Sequence, residues 1–316
     1  MDILPDPVGS PGVAAAHPPT ERRWDDNGRM PIDQDRPFRG AAGFYADHRY
    51  RISRQFAALV AARLGLDGSG RLLDLGCGPG ILAERFAPYV REVVAADPEP
   101  DMLTEGRRRT LAAGITNIRY ARASSTDLSA VSAGAPFRVV TIGQAFHWMR
   151  PQDAALGQLA TVVEPAGAVV LIKPDVVGDP PLWQQRVNAL VDEFLAGTPS
   201  GDHPSGRHDP FDELLRRSAF SVVEELSMEY DLIEQPSLVG ALGPRYSISW
   251  VADRLGGRRA ELEALARERF AWIDELPPQL RATLLPTAVD TVLVLGPAGA
   301  LTGPAARGDT ALVQRQ

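Results

Sequence analysis

Apolar positions recur along this chain with two periods, and the two alternate. Leu72, Leu73 and Leu75 form a short apolar run read as a buried strand. Similar runs lie at 92–97, from 118, at 139–142 and at 168–172. Between them, 81–87 and 99–113 carry helical spacing. That strand–helix alternation predicts a parallel sheet with helices on both faces. Two more strand patterns follow at 221–232 and 288–295. Upstream, Phe44, Ile52, Phe56, Leu59 and Val60 predict one amphipathic helix over about 43–64. Residues 1–37 are proline-rich without apolar periodicity and read as a disordered tail. Residues from about 299 to 316 read as a second disordered tail, leaving one domain over 38–298. Residues 237–285 are helical in pattern and longer than a link between edge strands needs, so they read as a lid insertion.

The turn after the first strand carries the candidate chemistry. In RLLDLGCGPG, Asp74 is followed by Gly76, Gly78 and Gly80. Glycine lets backbone N–H groups approach a ligand because no β-carbon intervenes. A helix start behind the turn adds unpaired donors. A dinucleotide fingerprint needs its third glycine three residues after the second, and Ile81 occupies that place. Asp74 at the strand end repels a pyrophosphate but suits an ammonium group or its water shell. The second strand ends in Asp97, about 20 residues on, where a carboxylate meets ribose hydroxyls in nucleotide-binding βαβ units. The plainer reading of Asp97 is a cap for the following helix.

LDLGCGPG closely resembles the first motif of class I S-adenosylmethionine-dependent methyltransferases, and three further segments follow in that family's order. The resemblance implies an α/β, Rossmann-like fold: a seven-stranded, mostly parallel sheet with helices on both faces, an antiparallel edge and a helical lid. It implies S-adenosyl-L-methionine as cofactor, held at Asp74, Gly76, Cys77, Gly78 and Gly80, with Asp97 on the ribose. DPEPDML places Pro98 and Met102 beneath the adenine. The segment IRYARASSTDL places Ser124, Ser125 and Thr126 at the adenine edge, with Ser124 where the family usually has an acid. In FRVVTIGQAFHWM, Arg138 replaces the family's usual Asp, and Gln144 ends the strand beside the cofactor. QAFHWM is similar to the trans-aconitate-like branch of small-molecule enzymes. RYSISWVADRLGG, residues 245–257, resembles lids of actinobacterial members.

Charge and composition narrow the partners. The 316 residues carry a formal charge of −7, which gives no basic footprint for nucleic acid. Lys173 is the only lysine, an imbalance read as codon bias. Cys77 is the only cysteine, so no disulfide can form within the chain, as suits a reducing cytoplasm. No base lies near it in sequence, so it reads as a small residue of the turn. No run of 18 apolar residues indicates a membrane span. The first residues lack a basic start and apolar core, so no secretory leader is read. His203 and His208 lie in a polar stretch and read as solvated loop, so no metal site is expected. Arg107, Arg108 and Arg109 read as an exposed helix face. The expected partner is a small-molecule acceptor, with the chain a monomer or homodimer in the cytoplasm.

Methyl transfer needs an in-line nucleophile and exclusion of water. His147, just past the fourth strand, is the candidate base for a hydroxyl acceptor. It equally suits a hydrogen bond to a carbonyl that only shapes the pocket. Trp148 reads as a pocket wall, and Tyr45, Tyr50 and Tyr246 as substrate contacts or ordinary packing. Three functions remain open: methyl transfer to a small molecule, O-methylation favoured; another reaction on the same cofactor, such as cyclisation; and nicotinamide-dependent oxidoreduction, which Ile81 and Asp74 disfavour.

Overall fold

The computed structural model describes residues 42–48, 52–176, 182–197, 211–231, 237–246, 251, 254–275 and 287–297. Both tails read as disordered, the loop with His203 and His208, and Tyr50 lie outside them.

Seven strands form one sheet: β1 (Arg71–Leu75), β2 (Glu92–Asp97), β3 (Ile118–Arg122), β4 (Phe137–Gly143), β5 (Val163–Val176), β6 (Phe220–Asp231) and β7 (Thr287–Pro297). Their order is β3-β2-β1-β4-β5-β7-β6. The first five pair in parallel, and β7 runs antiparallel between β5 and β6.

Alternation within the strands sorts the core onto two faces, because successive side chains of a strand point oppositely. Leu73, Leu75, Val94, Val140 and Ile142 face one side. They pack against α5 (Ser129–Ser132), α6 (Gln152–Val162) and α8 (Phe211–Arg216) through Val131, Leu156, Leu159 and Leu214. Leu72, Val93, Ala95 and Val139 face the other side. There they meet α2 (Arg54–Arg63), α3 (Ile81–Phe86) and α4 (Pro100–Ala112) through Phe56, Val60, Phe86 and Leu103. With both faces covered, strands of a parallel sheet must be apolar throughout, which explains the unbroken runs.

One helix was expected over 43–64, and two are present. α1 (Ala42–His48) is separate from α2. Ser53, in extended conformation, starts α2 and accepts the Phe56 N–H at 3.0 Å. A serine cap outweighs continuation of the apolar stripe.

Helices α7 (Leu182–Leu195), α9 (Leu238–Tyr246), α10 (Arg259–Phe270) and α11 (Trp272–Glu275) build a third core of their own. Trp183, Val187 and Leu190 of α7 pack there with Leu242, Leu262 and Phe270. The helical layer therefore draws on chain before β6 as well as after it, more than 237–285 alone. Ion pairs Arg245–Asp192 and Arg269–Glu193 tie its two parts together. Among the described residues no helix is long and apolar enough to cross a membrane, and no group of metal-ligating side chains occurs.

Candidate active site

Strand order reverses between β1 and β4, and a crevice opens at such a switch point, outside the carboxyl ends of the strands. Here it is a small cleft of about 50 Å³, open to solvent. Asp74, Gly76 and Cys77 line it from β1 and its turn, and Gly143 and Gln144 from β4. Tyr45 of α1 and Ile52, Ile81, Leu82 and Ile172 complete the wall.

The glycine turn is held tightly from behind. Gly76 and Cys77 donate to the Ala96 carbonyl at 2.8 and 3.1 Å. Gly76, Gly78 and Gly80 all have positive φ, from 53 to 79°. At Gly76 a β-carbon would stand 2.6 Å from that of Ala145, so space as well as backbone angle requires glycine. Asp97 is 8% exposed and uses both oxygens, one on the turn and one on the chain entering α4. Its Oδ2 accepts from Gly78 N–H at 2.8 Å and its Oδ1 from Glu99 N–H at 2.9 Å. The cap of α4 is Glu99, whose side chain accepts from Asp101 N–H at 3.3 Å, so Asp97 is not the helix cap; it ties the turn to the chain entering α4.

Asp74 is 1% exposed. Thr141, its register partner on β4, donates to Oδ1 at 3.0 Å. Its Oδ2 is buried without a hydrogen-bond partner among the described residues. Burial raises the carboxyl to about 7, against the opposing Thr141 bond. Burial likewise raises Asp97 to about 6 despite its two N–H donors. Cys77 is buried, and its thiol is pushed well up by desolvation and then by Asp97 and Asp74, so it stays protonated. That is the chemistry of a wall, not of a nucleophile.

Gln144 is the one non-glycine residue with positive φ among those described, at 50°. Its N–H donates to Ile172 at 3.0 Å, fixing the strained end of β4 at the cleft. Tyr45 is set by α1, which two contacts hold. Asp47 pairs with Arg109 at 3.8 Å, and Arg109 with Glu84 at 3.3 Å. His48 occupies the space a side chain at Gly243 of α9 would need. Arg109 is therefore a half-buried clamp, not part of an exposed basic face; Arg107 and Arg108 are exposed as expected.

Other expected residues fall elsewhere. His147 sits in a short 3₁₀ turn, Phe146–Trp148, is exposed and does not line the cleft. Its ring lies 5.2 Å from that of Trp148, which also lies outside the lining. Tyr246 is 4% exposed in the core of the helical layer, beneath the Arg259 guanidinium at 4.9 Å. Its face of α9 turns toward α7 and α10, so it is packing and not a cleft contact. Pro98 is exposed, while Met102 is buried beside the turn, its sulfur 4.0 Å from where a Gly78 β-carbon would stand. Ser124, Ser125 and Thr126 follow β3 at the strand edge shared with Asp97. The Ser124 hydroxyl already accepts from Asp127 N–H at 3.1 Å within its own turn.

These residues fit a sulfonium nucleoside. The orphaned Asp74 oxygen suits an ammonium group, the glycines of the turn allow close backbone approach, and Asp97 retains lone pairs for ribose hydroxyls. Residues 72–167 match the methyltransferase domain family, and residues 262–316 match a domain of unknown function. Trans-aconitate 2-methyltransferase of Methylobacterium nodulans is 28% identical over 252 residues, covering 76% of this chain and 90% of that protein. Ubiquinone biosynthesis O-methyltransferase of Xanthomonas axonopodis pv. citri is 33% identical over 112 residues, covering 35% of this chain and 46% of that protein. A putative type II methyltransferase from Anaeromyxobacter dehalogenans has a solved structure with TM-score 0.47 and 19% identity, over 79% of this chain and 97% of that one. Residues 72–167 are thus a methyltransferase domain, with the motif order of the class I S-adenosylmethionine-dependent methyltransferases.

Proposed function

We propose that the chain transfers a methyl group to an oxygen atom of a small molecule by in-line displacement. The observation that carries this is the cleft at the β1–β4 switch point, with the orphaned Asp74 oxygen at one end and Tyr45 and Gln144 among its walls. Bound S-adenosylmethionine supplies an already activated methyl group. The chain's own work is then alignment and exclusion of water. Asp74 holds an ammonium group, with Thr141 fixing its carboxylate. Asp97 holds the turn and faces the ribose. Ile52, Ile81, Leu82 and Ile172 keep the cleft apolar, which favours a compact, weakly charged acceptor over a highly charged one. Tyr45 and Gln144 supply polar groups that can orient an acceptor oxygen. One relative supports an oxygen acceptor by its name, the ubiquinone biosynthesis O-methyltransferase.

The test is an acceptor panel of phenols, aliphatic alcohols, carboxylic acids, amines and thiols, read by S-adenosylhomocysteine release and product mass. Turnover confined to hydroxyl or carboxyl acceptors supports the proposal. Turnover only with amines, thiols or carbon nucleophiles contradicts it.

A further inference from the structure

Tyr120 lies in the middle of β3, in register with Ala95 of β2. Its ring reaches across to the cofactor turn. A β-carbon on Gly106 of α4 would overlap the Tyr120 ring. A β-carbon on Gly80, the last glycine of the turn, would overlap the Tyr120 hydroxyl and stand 3.1 Å from Cζ. Two glycines in different elements therefore leave room for one phenol. Arg107 holds the ring from outside, its guanidinium 5.8 Å from the ring centroid and donating to the Tyr120 carbonyl at 3.3 Å.

The hydroxyl is buried and has no hydrogen-bond partner among the described residues. Burial also pushes the phenol well up, against a smaller opposing pull from the Thr110 hydroxyl, so it stays neutral. Its contribution is therefore shape and not charge. The turn's other anchors act on Gly76, Cys77 and Gly78 through Ala96 and Asp97. At Gly80, φ is 79° and the backbone N–H bonds only within the turn, to Cys77 at 3.0 Å. Tyr120 is the side chain that abuts this otherwise self-contained end.

We propose that Tyr120 is a positioning residue for cofactor binding: its ring is a wedge between α4 and Gly80 that sets where the glycine turn presents its backbone. This rests on the assignment of the turn as the cofactor site. Displacing the wedge shifts the N–H groups that meet the ligand, while the sheet beneath stays in place.

The experiment is calorimetric titration with S-adenosylhomocysteine, with melting temperatures of the unliganded proteins alongside. Tyr120→Phe keeps the ring and removes only an unbonded hydroxyl, so its Kd stays within about threefold of wild type. Tyr120→Leu removes the wedge, and Gly106→Ala pushes it, so each weakens binding about tenfold. Once the ring is gone, Gly106→Ala has nothing to push. The double variant Tyr120→Leu/Gly106→Ala therefore binds no more weakly than Tyr120→Leu alone. Two results overturn the proposal: lowered melting temperatures with unchanged Kd, or single effects that simply multiply in the double variant. If Tyr120→Leu fails to fold, Gly106→Ala with unchanged Kd is enough to reject it. Failure of the wild type to bind at all rejects the cofactor site itself, a result distinct from either.

Discussion

Asp97→Ala probes the site most sharply, because one carboxylate holds the turn and, in the proposed function, faces the ribose. The side chain is 8% exposed and accepts two backbone N–H groups, from Gly78 at 2.8 Å and Glu99 at 2.9 Å. A hydrogen bond to a charged group contributes about 1.5–3 kcal/mol, and a buried donor left without a partner costs a similar amount. Alanine leaves both donors unpaired. The stability loss is smaller than the sum of two bonds, because burial has already raised the carboxyl to about 6 and offsets part of their gain. For binding, the loss is one charge-assisted ribose pair, about 1.5–3 kcal/mol, or roughly 10- to 100-fold in Kd. Asparagine retains one acceptor oxygen but presents an amide N–H₂ where the second is needed, so it falls between. Titration of S-adenosylhomocysteine into the folded variants at pH 8, with circular dichroism as the control, reads both. A folded Asp97→Ala protein within about twofold of wild type would refute the ribose assignment, since the predicted effect is at least about tenfold.

Three further outcomes follow from the geometry. His147 is exposed and off the cleft, so His147→Ala should keep turnover within about fivefold; a loss of about 10²–10⁴-fold is the mark of a general base. Asp74 and Asp97 titrate at about 7 and about 6 in the fold against 3.8 in the unfolded chain, so the native state binds protons that the unfolded chain has released. Their contribution to stability is fully present below about pH 4 and is lost as pH rises through 6 and 7. The melting temperature of the unliganded wild type should therefore fall relative to Asp74→Asn between pH 5 and about 8, and a rise would contradict the assignment. Finally, α7 shares a core with α9 and α10, so hydrogen exchange should slow in all three together when cofactor and acceptor bind. Slowing confined to 237–285, with α7 unchanged, would show that the layer does not respond as one unit.

The central strands were legible because each carries a run of apolar residues; the ends of β1, β2 and β4 fall at a glycine, a proline or a charge, whereas β5, read as 168–172, extends over Val163–Val176 with valines at both ends. The last two strands, β6 and β7, were placed within one or two residues. What sequence hid was who meets whom across long separations. Nothing local says that 182–195 joins a core made mostly beyond residue 237. Periodicity also missed the break at Ser53, since Ile52 and Phe56 keep the same apolar spacing on either side. At the site, the turn and Asp97 stood out by spacing. Thr141, a polar residue in an otherwise apolar strand, carried a signal of its own and turns out to bond Asp74. Ile52 and Ile172 look like ordinary core in the sequence, and only the topology brings them to the cleft. Tyr246 fell on the packing side of its two readings, in the core of the neighbouring layer.

Methyl transfer itself is tested most directly by incubating the purified protein with methyl-deuterated S-adenosylmethionine and a small-molecule metabolite extract. The account predicts S-adenosylhomocysteine formation that depends on the extract, together with a product carrying the intact labelled methyl group on oxygen. Neither should appear with Asp97→Ala at a cofactor concentration that saturates only the wild type. Cofactor binding with no labelled product, or label recovered without its three deuterium atoms, would contradict it.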